Sequence, residues 1–240
     1  MRWEVQIVGD ALDLQVLGRS FNSAEAEIVD TPRGWMVRSQ HFDDLQDYGA
    51  VRARASELLA AISGASKLIL GSESSLKSGS VIEHRQDGTT NTVLSVDSAR
   101  IRIRGGPVSL IVKRGDGTEE VRHPADPAPA WVKLALGNQT VARALRLRAG
   151  PQEWVDLYRL LEVIESDVPV DEIIRRRWTS KTDLQRFKRT ANSQKAVGDA
   201  ARHGRDPHPA PAEPMPITEA RSLLDGLLRR WLDWRAAGAT

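Results

Sequence analysis

The sequence predicts an α+β protein, with an N-terminal, mostly antiparallel β domain carrying one main helix and an all-α helical bundle after it. Three features carry the prediction. Residues 1–123 alternate apolar and polar positions between Gly, Asp and Pro turns. Three prolines crowd residues 124–129. Beyond residue 130 the apolar spacing becomes helical, and five of the seven tryptophans (131, 154, 178, 231 and 234) gather there.

Taken in order, Trp3, Val5 and Ile7 alternate with Glu4 and Gln6, the period-2 pattern of a half-buried strand. Residues 27–30 and 35–39 flank Thr31-Pro32-Arg33-Gly34, a turn that predicts a hairpin. Val51, Ala55, Leu58, Leu59 and Ile62 fall at helical spacing, with Gly64 as the expected C-terminal cap. Short strands follow at 67–70, 80–85, 89–96, 100–104, 108–114 and 118–122, separated by Gly and Asp turns. Residues 124–130 are expected to form an extended, proline-rich linker between a domain at 1–123 and a helical domain at 131–240. In the second domain Asn138 is placed to cap a helix over 140–147. Pro151 is expected to open a helix whose Trp154, Leu157, Tyr158, Leu161 and Ile164 share one face. Ser180-Lys181-Thr182-Asp183 has the form of a capping box ahead of Leu184 and Phe187. Asp206 to Pro216 holds five prolines and reads as an extended loop. Ala220, Leu223, Leu224, Leu227, Leu228 and Trp231 then give a long amphipathic last helix.

Composition removes several function classes. At 240 residues the chain has room for one large or two modest cores, and its 40% hydrophobic and 28% charged content is that of a globular protein. No apolar run approaches the roughly 20 residues a membrane span needs, and MRWEVQIVGD lacks the layout of a secretory signal. The absence of cysteine excludes disulfides, thiolate metal sites and a thiol nucleophile, so the cytoplasm is the expected compartment. Of five histidines only His203 and His208 lie close together, without a ligand-type spacing, and no metal site is predicted. Neither a phosphate-binding loop, a dinucleotide fingerprint nor a serine-nucleophile motif is present, and no cofactor is expected.

Charge is uneven. Residues 1–123 hold 15 basic and 17 acidic side chains, whereas residues 124–240 hold 19 and 15. Within 175–205 ten basic residues face only Asp183 and Asp199. A segment of that density attracts phosphate backbones or acidic partners, or else forms a solvated helix face. Its candidate nucleic-acid contacts are Arg175, Arg176, Arg177, Lys181, Arg186, Lys188, Arg202 and Arg205. Arg100, Arg102 and Arg104 form a second basic stripe, suited to a phosphate backbone or to guarding an edge strand. Arg189, Asn192, Asp199, Arg202, His203 and Gly204 cluster in sequence. Histidine exchanges protons near neutral pH and arginine grips phosphate bidentately. The same His203-Gly204 pair also suits a helix C-terminal cap.

On Arg189, Asn192, His203, Gly204 and the apolar last helix, residues 130–236 resemble the HEPN superfamily, helical domains that recur in bacterial RNA-cleaving toxins and phage-defence effectors. The resemblance implies a metal-independent ribonuclease or an RNA-binding relative. His203 would move the proton of a ribose 2′-hydroxyl, Arg189 would stabilise phosphate charge and Asn192 would position them, in a site built across a homodimer. The family spaces its Arg and His by four to six residues, whereas thirteen separate Arg189 from His203. That spacing implies an expanded loop or a degenerate site. The other reading of the residues is a non-enzymatic interaction protein that docks a protein partner through the basic segment, with residues 206–216 as a polyproline-type docking strand.

Overall fold

In the structure, a computed structural model that describes residues 3–72, 74–85, 89–93, 110–113, 119–122, 126–202 and 210–238, the chain divides into two compact units, Met1–Leu136 and Gly137–Thr240. The expected strand at 100–104, residues 124 and 125 of the linker, and residues 203–209, which include His203 and Arg205, lie outside the described residues.

The first unit is built on β1 (Trp3–Val8). Its Trp3, Val5 and Ile7 are at most 5% exposed, as the alternation predicts. Around it lie β2 (Glu27–Thr31), β3 (Gly34–Arg38), β4 (Lys77–His84) and β5 (Thr90–Val93), in the order β2-β3-β1-β4-β5 with every pair antiparallel. A separate hairpin joins β6 (Leu110–Lys113) to β7 (Glu119–Arg122). The predicted hairpin at residues 31–34 is present. Thr31 pairs with Gly34, the Thr31 hydroxyl donates to the Gly34 carbonyl at 2.8 Å, and Gly34 takes φ +96°, where a side chain would be strained. At Gly79 the β1–β4 register shifts, and an added Cβ would meet Gln6 Oε1 at 2.9 Å. Glycine is what lets Gln6 approach that bulge.

Three helices depart from the sequence expectation. α1 (Ala11–Ser20) was not anticipated, although Asp10 is a good N-cap whose carboxylate accepts from Leu12 N at 3.0 Å and Asp13 N at 3.2 Å. α2 (Tyr48–Leu70) runs through Gly64 and through residues 67–70, read above as a strand, and ends at Gly71 with φ 62°. Residues 61 to 66 are buried on every side. That burial outweighs the cost of about 1 kcal/mol for glycine inside a helix. Buried Ser63 donates to Leu59 O at 2.7 Å and accepts from Leu76 N at 2.8 Å, tying α2 to the approach of β4. α3 (Pro127–Gly137) begins inside the segment expected to be linker. Pro127 and Pro129 occupy its first turn, where the missing N–H groups have no partner to lose.

One face of the sheet packs on α1 and α2, with Trp3 edge-on to Tyr48 at 5.1 Å. On the other, Glu4 is only 8% exposed and accepts from Arg38 Nε at 2.6 Å, with His84 Nε2 2.9 Å away. Arg38 also reaches Glu27 at 3.2 Å. Burial alone would push the Glu4 carboxyl up; His84 and Arg38 outweigh it and hold the group below the ordinary glutamate value.

The second unit is helical: α4 (Gln139–Ala149), α5 (Trp154–Asp167), α6 (Val170–Arg175), α7 (Lys181–Ala191), α8 (Gln194–Val197) and α9 (Ile217–Ala237). α9 buries Ala220, Leu224, Leu227, Leu228, Trp231 and Leu232, the stripe its periodicity predicts, shifted at one position from Leu223 to Leu232. Asn138 caps α4, accepting from Thr140 N and Val141 N at 3.0 and 3.1 Å. Pro151 lies ahead of α5 instead of in its first turn, and Glu153 takes the N-cap position. Two polar ties fix α9. Arg148 grips Asp225 with both arms at 2.6 and 3.0 Å. Asp167 accepts from Trp231 Nε1 and Arg235 Nε, each at 2.8 Å. No helix among the described residues is long and apolar enough to cross a membrane.

Two stability measurements follow from this packing. With its folded pKa depressed, Glu4 contributes stability that is fully present above its unfolded pKa and fades as pH falls through the folded value. Glu4→Gln should therefore cost about 2 kcal/mol at neutral pH. In urea unfolding the gap to wild type should narrow below about pH 4; a gap independent of pH would show that charge is not what Glu4 contributes. Gly226 sits inside α9 with nothing within 4 Å of an added Cβ, so Gly226→Ala should stabilise by about 1 kcal/mol in thermal unfolding.

Candidate functional site

The basic segment occupies the end of α6, the turn after it, α7 and α8, and its side chains divide into two sets. Five of the expected nucleic-acid contacts are taken up by carboxylates on other parts of the unit. Arg175 and Arg176 both bind Glu172, Arg175 through Nε at 2.8 Å. Arg175 first, and Arg176 with it, holds the Glu172 carboxyl below the ordinary glutamate value. Arg186 binds Glu219 at 2.6 Å and the Glu213 carbonyl at 2.9 Å. Lys188 Nζ lies 2.7 Å from Glu165, an ion-pair contact without hydrogen-bond alignment. Arg202 binds Glu162 at 2.6 Å, and its guanidinium carbon lies 4.1 Å from the centre of the Tyr158 ring. The second set, Arg177, Lys181, Arg189 and Lys195, is exposed and has no partner among the described residues.

α7 carries two of this second set, Lys181 and Arg189. Ser180 caps it: its hydroxyl accepts from Asp183 N at 3.0 Å and donates to the Asp183 carboxylate at 2.6 Å. Asp thus holds the side chain of the box without reaching back to the cap amide as Glu would. Leu184, Phe187, Thr190 and Ala191 face inward. Lys181, Gln185 and Arg189, four residues apart, line the opposite, exposed face over an axial rise of about 12 Å. Phe187 is clamped between Tyr158 and Trp154, ring centres 6.0 and 6.1 Å away, so the helix cannot roll that face inward.

At the C-terminal end of α7 the structure brings together part of the predicted cluster. Asn192 is the C-cap residue, and its Oδ1 is buried without a hydrogen-bond partner. The backbone N–H of Arg202 donates to the Ala191 carbonyl at 2.9 Å, so the chain returns to the end of α7 at the residue before His203. A second return follows at Met215, thirteen residues later. Met215 N donates at 3.0 Å to the Thr190 hydroxyl, which itself donates to the Arg186 carbonyl at 2.8 Å. Both ends of the excursion from 202 to 215 are therefore held on adjacent residues of α7, in its last turn. Asp199 is exposed. His203 and Arg205 lie outside the described residues.

Sequence reasoning missed the residues that neutralise the segment: Glu162 and Glu165 on α5, Glu172 on α6 and Glu219 on α9. It also missed Thr190, which anchors the return. No local signal marks them, because each partner lies on another element or, for Glu172, just outside the window in which the charge is counted. Among the described residues no three His, Asp or Glu side chains form a group that would hold a metal ion. The chain matches no protein-family model, no curated protein and no solved structure.

Thr190 is fully buried, and Thr190→Val would leave the Met215 N–H without its acceptor while keeping the shape. A loss of about 1–3 kcal/mol in urea unfolding is the expected outcome, with faster proteolysis confined to the 202–215 excursion.

Proposed function

We propose that the helical unit binds RNA through the cations its own carboxylates leave over. The observation that supports this is the exposed face of α7 and α8, where Lys181, Arg189 and Lys195 stand on ordered helix without an acidic partner among the described residues. Neighbouring cations only a turn away are paired. A helix rigid at its core and cationic at its face gives a polyanion a preorganised track, with little side-chain ordering left to pay on the protein's part beyond the three long chains. The ligand follows from the resemblance of residues 130–236 to the HEPN domains of RNA-cleaving effectors, which extends the reading to a cytoplasmic bacterial effector of phage defence working as a homodimer.

Cleavage is the second reading, and one observation favours it. Arg189, with no partner among the described residues, and Asn192, whose buried Oδ1 lacks one, occupy the turn of α7 to which the chain returns at Arg202. In this reading His203 takes the 2′-hydroxyl proton, the 2′-oxygen attacks the adjacent phosphorus, and the P–O5′ bond breaks as the 5′-oxygen takes a proton back from the His203 imidazolium, directly or through water. The products are a 2′,3′-cyclic phosphate end and a 5′-hydroxyl end. Arg189 bears the charge that builds on the phosphate oxygens, and no metal ion takes part.

One experiment tests both readings. Wild type, Arg189→Ala and His203→Ala are incubated with mixed RNA in EDTA, and binding is titrated in parallel at several salt concentrations. Wild type should bind with a logarithmic salt slope of about −2, three contacts at roughly 0.7 each. Arg189→Ala should flatten the slope. Cyclic-phosphate ends from wild type alone would establish cleavage; RNA bound but intact with all three proteins would leave binding only. No binding by wild type at low salt would overturn the RNA reading and shift the basic face to a protein partner.

A further inference from the structure

Arg177 is the only non-glycine residue among those described with a positive φ, at 57°. The reason for that backbone is plain. After α6 the chain closes with a paired turn in which Trp178 N donates to Ile173 O at 3.1 Å and Arg177 N to Ile174 O at 2.9 Å. Trp178 and Ile173, at the two ends of the closure, are both buried. The residue between them must be left-handed, a position glycine fills without steric cost and asparagine tolerates. Arginine there is costly, and nothing in the fold uses its side chain, which is exposed and without a partner among the described residues.

The surroundings are predominantly cationic. Arg175 and Arg176 divide a single carboxylate, Glu172, between them. Arg230 donates to the Trp178 carbonyl, a neutral group, and has no carboxylate partner among the described residues. The guanidinium of Arg176 is itself held in place, 5.0 Å from the Trp234 ring and 5.7 Å from that of Trp178. Asp167 is taken by Trp231 and Arg235, and Asp171 sits at the far end of α6. Three more guanidinium charges than carboxylates therefore converge on one turn, and Ser180, three residues on, opens α7 with Lys181 as its first residue.

We infer that the turn from Arg175 to Trp178, with Arg230, is a phosphate-binding turn that extends the α7 track, and that Arg177 is its contacting residue. This rests on the RNA-binding reading and adds to it where the strand enters. The ligand chemistry is the phosphodiester of single-stranded RNA. Planar guanidinium forks match phosphate oxygens bidentately, and single charges strung from the turn along α7 fit an evenly charged chain better than a compact anion. Arg177 keeps an unfavourable backbone because its charge is used there.

The test is Arg177→Gly in the full chain, with Arg177→Lys and the double variant Lys181→Ala/Arg189→Ala alongside, each titrated with a labelled 20-nucleotide oligouridylate over a range of salt. Arg177→Gly should raise the melting temperature by about 2–4 °C, because glycine relieves the left-handed strain. It should also weaken binding several-fold and flatten the salt slope by about 0.7, one phosphate contact. Arg177→Lys should retain part of the affinity. A gain in stability with a loss of affinity cannot come from misfolding. If wild type binds RNA, the double variant loses binding and Arg177→Gly binds like wild type, the inference is overturned while the α7 reading stands. If wild type ignores RNA and binds polyglutamate instead, both fall.

Discussion

Four carboxylates decide what the helical unit offers to a partner. Glu162 and Glu165 on α5, Glu172 on α6 and Glu219 on α9 take up the charge of Arg202, Lys188, Arg175, Arg176 and Arg186. Of the ten basic residues that the segment carries against two acids along the chain, half are held in space by these carboxylates. What survives is a pattern. Along α7 the residues that face neighbouring helices are paired, and those that face outward are not. Distance along the sequence counts charge; the helix packing sorts it into used and unused.

These pairs do not hold the unit together. An exposed ion pair contributes about 0.2–1 kcal/mol, whereas burying one leucine or a large aromatic side chain contributes about 2–3 kcal/mol. Leu224, Leu227, Leu228, Trp231 and Leu232 of α9, all at most 1% exposed, outweigh every surface pair in the segment. The pairs act on rotation and register instead: Lys188–Glu165 and Arg202–Glu162 both point α7 and its return at α5, and with Phe187 between Trp154 and Tyr158 they leave Arg189 nowhere to turn but outward. Arg148–Asp225 is the exception in kind, bidentate and with the Arg148 side chain only 11% exposed, and it fixes α4 against α9.

Much of this was legible in the sequence, and the limit has a physical form. Periodicity located β1 and α9, because burying one face requires that spacing, and the Thr31–Gly34 turn chemistry located the β2–β3 hairpin. Asn138 and Ser180 marked helix starts because a side chain near an amide is a local fact. Gly64 misled for the opposite reason: its effect on α2 depended on burial from all sides, which no local pattern reports. Pro127 and Pro129 read as a break, and they do mark one, yet the same residues begin α3 because a first helical turn needs no amide donors. At the candidate site the cations, Arg189 and Asn192 could be named from sequence, but not their partners, which depend on how the helices pack.

The left-handed Arg177 and the doubly anchored excursion belong to the same argument. A chain that leaves α7 at Ala191 and is recaptured at Ala191 by Arg202 and at Thr190 by Met215 has had its closure fixed by two hydrogen bonds at one place. Closing a longer loop costs little more than closing a short one, each doubling adding about 0.6 kcal/mol. Thirteen residues between Arg189 and His203 are therefore no energetic obstacle to a compact arrangement, so long as the anchors hold. At the other end of α7 a similar economy fails: the turn at Arg177 would be cheaper with glycine, and its side chain has no partner among the described residues that would offset the strain. An exposed guanidinium thus stands near each end of α7, Arg189 in its last turn and Arg177 four residues before its first.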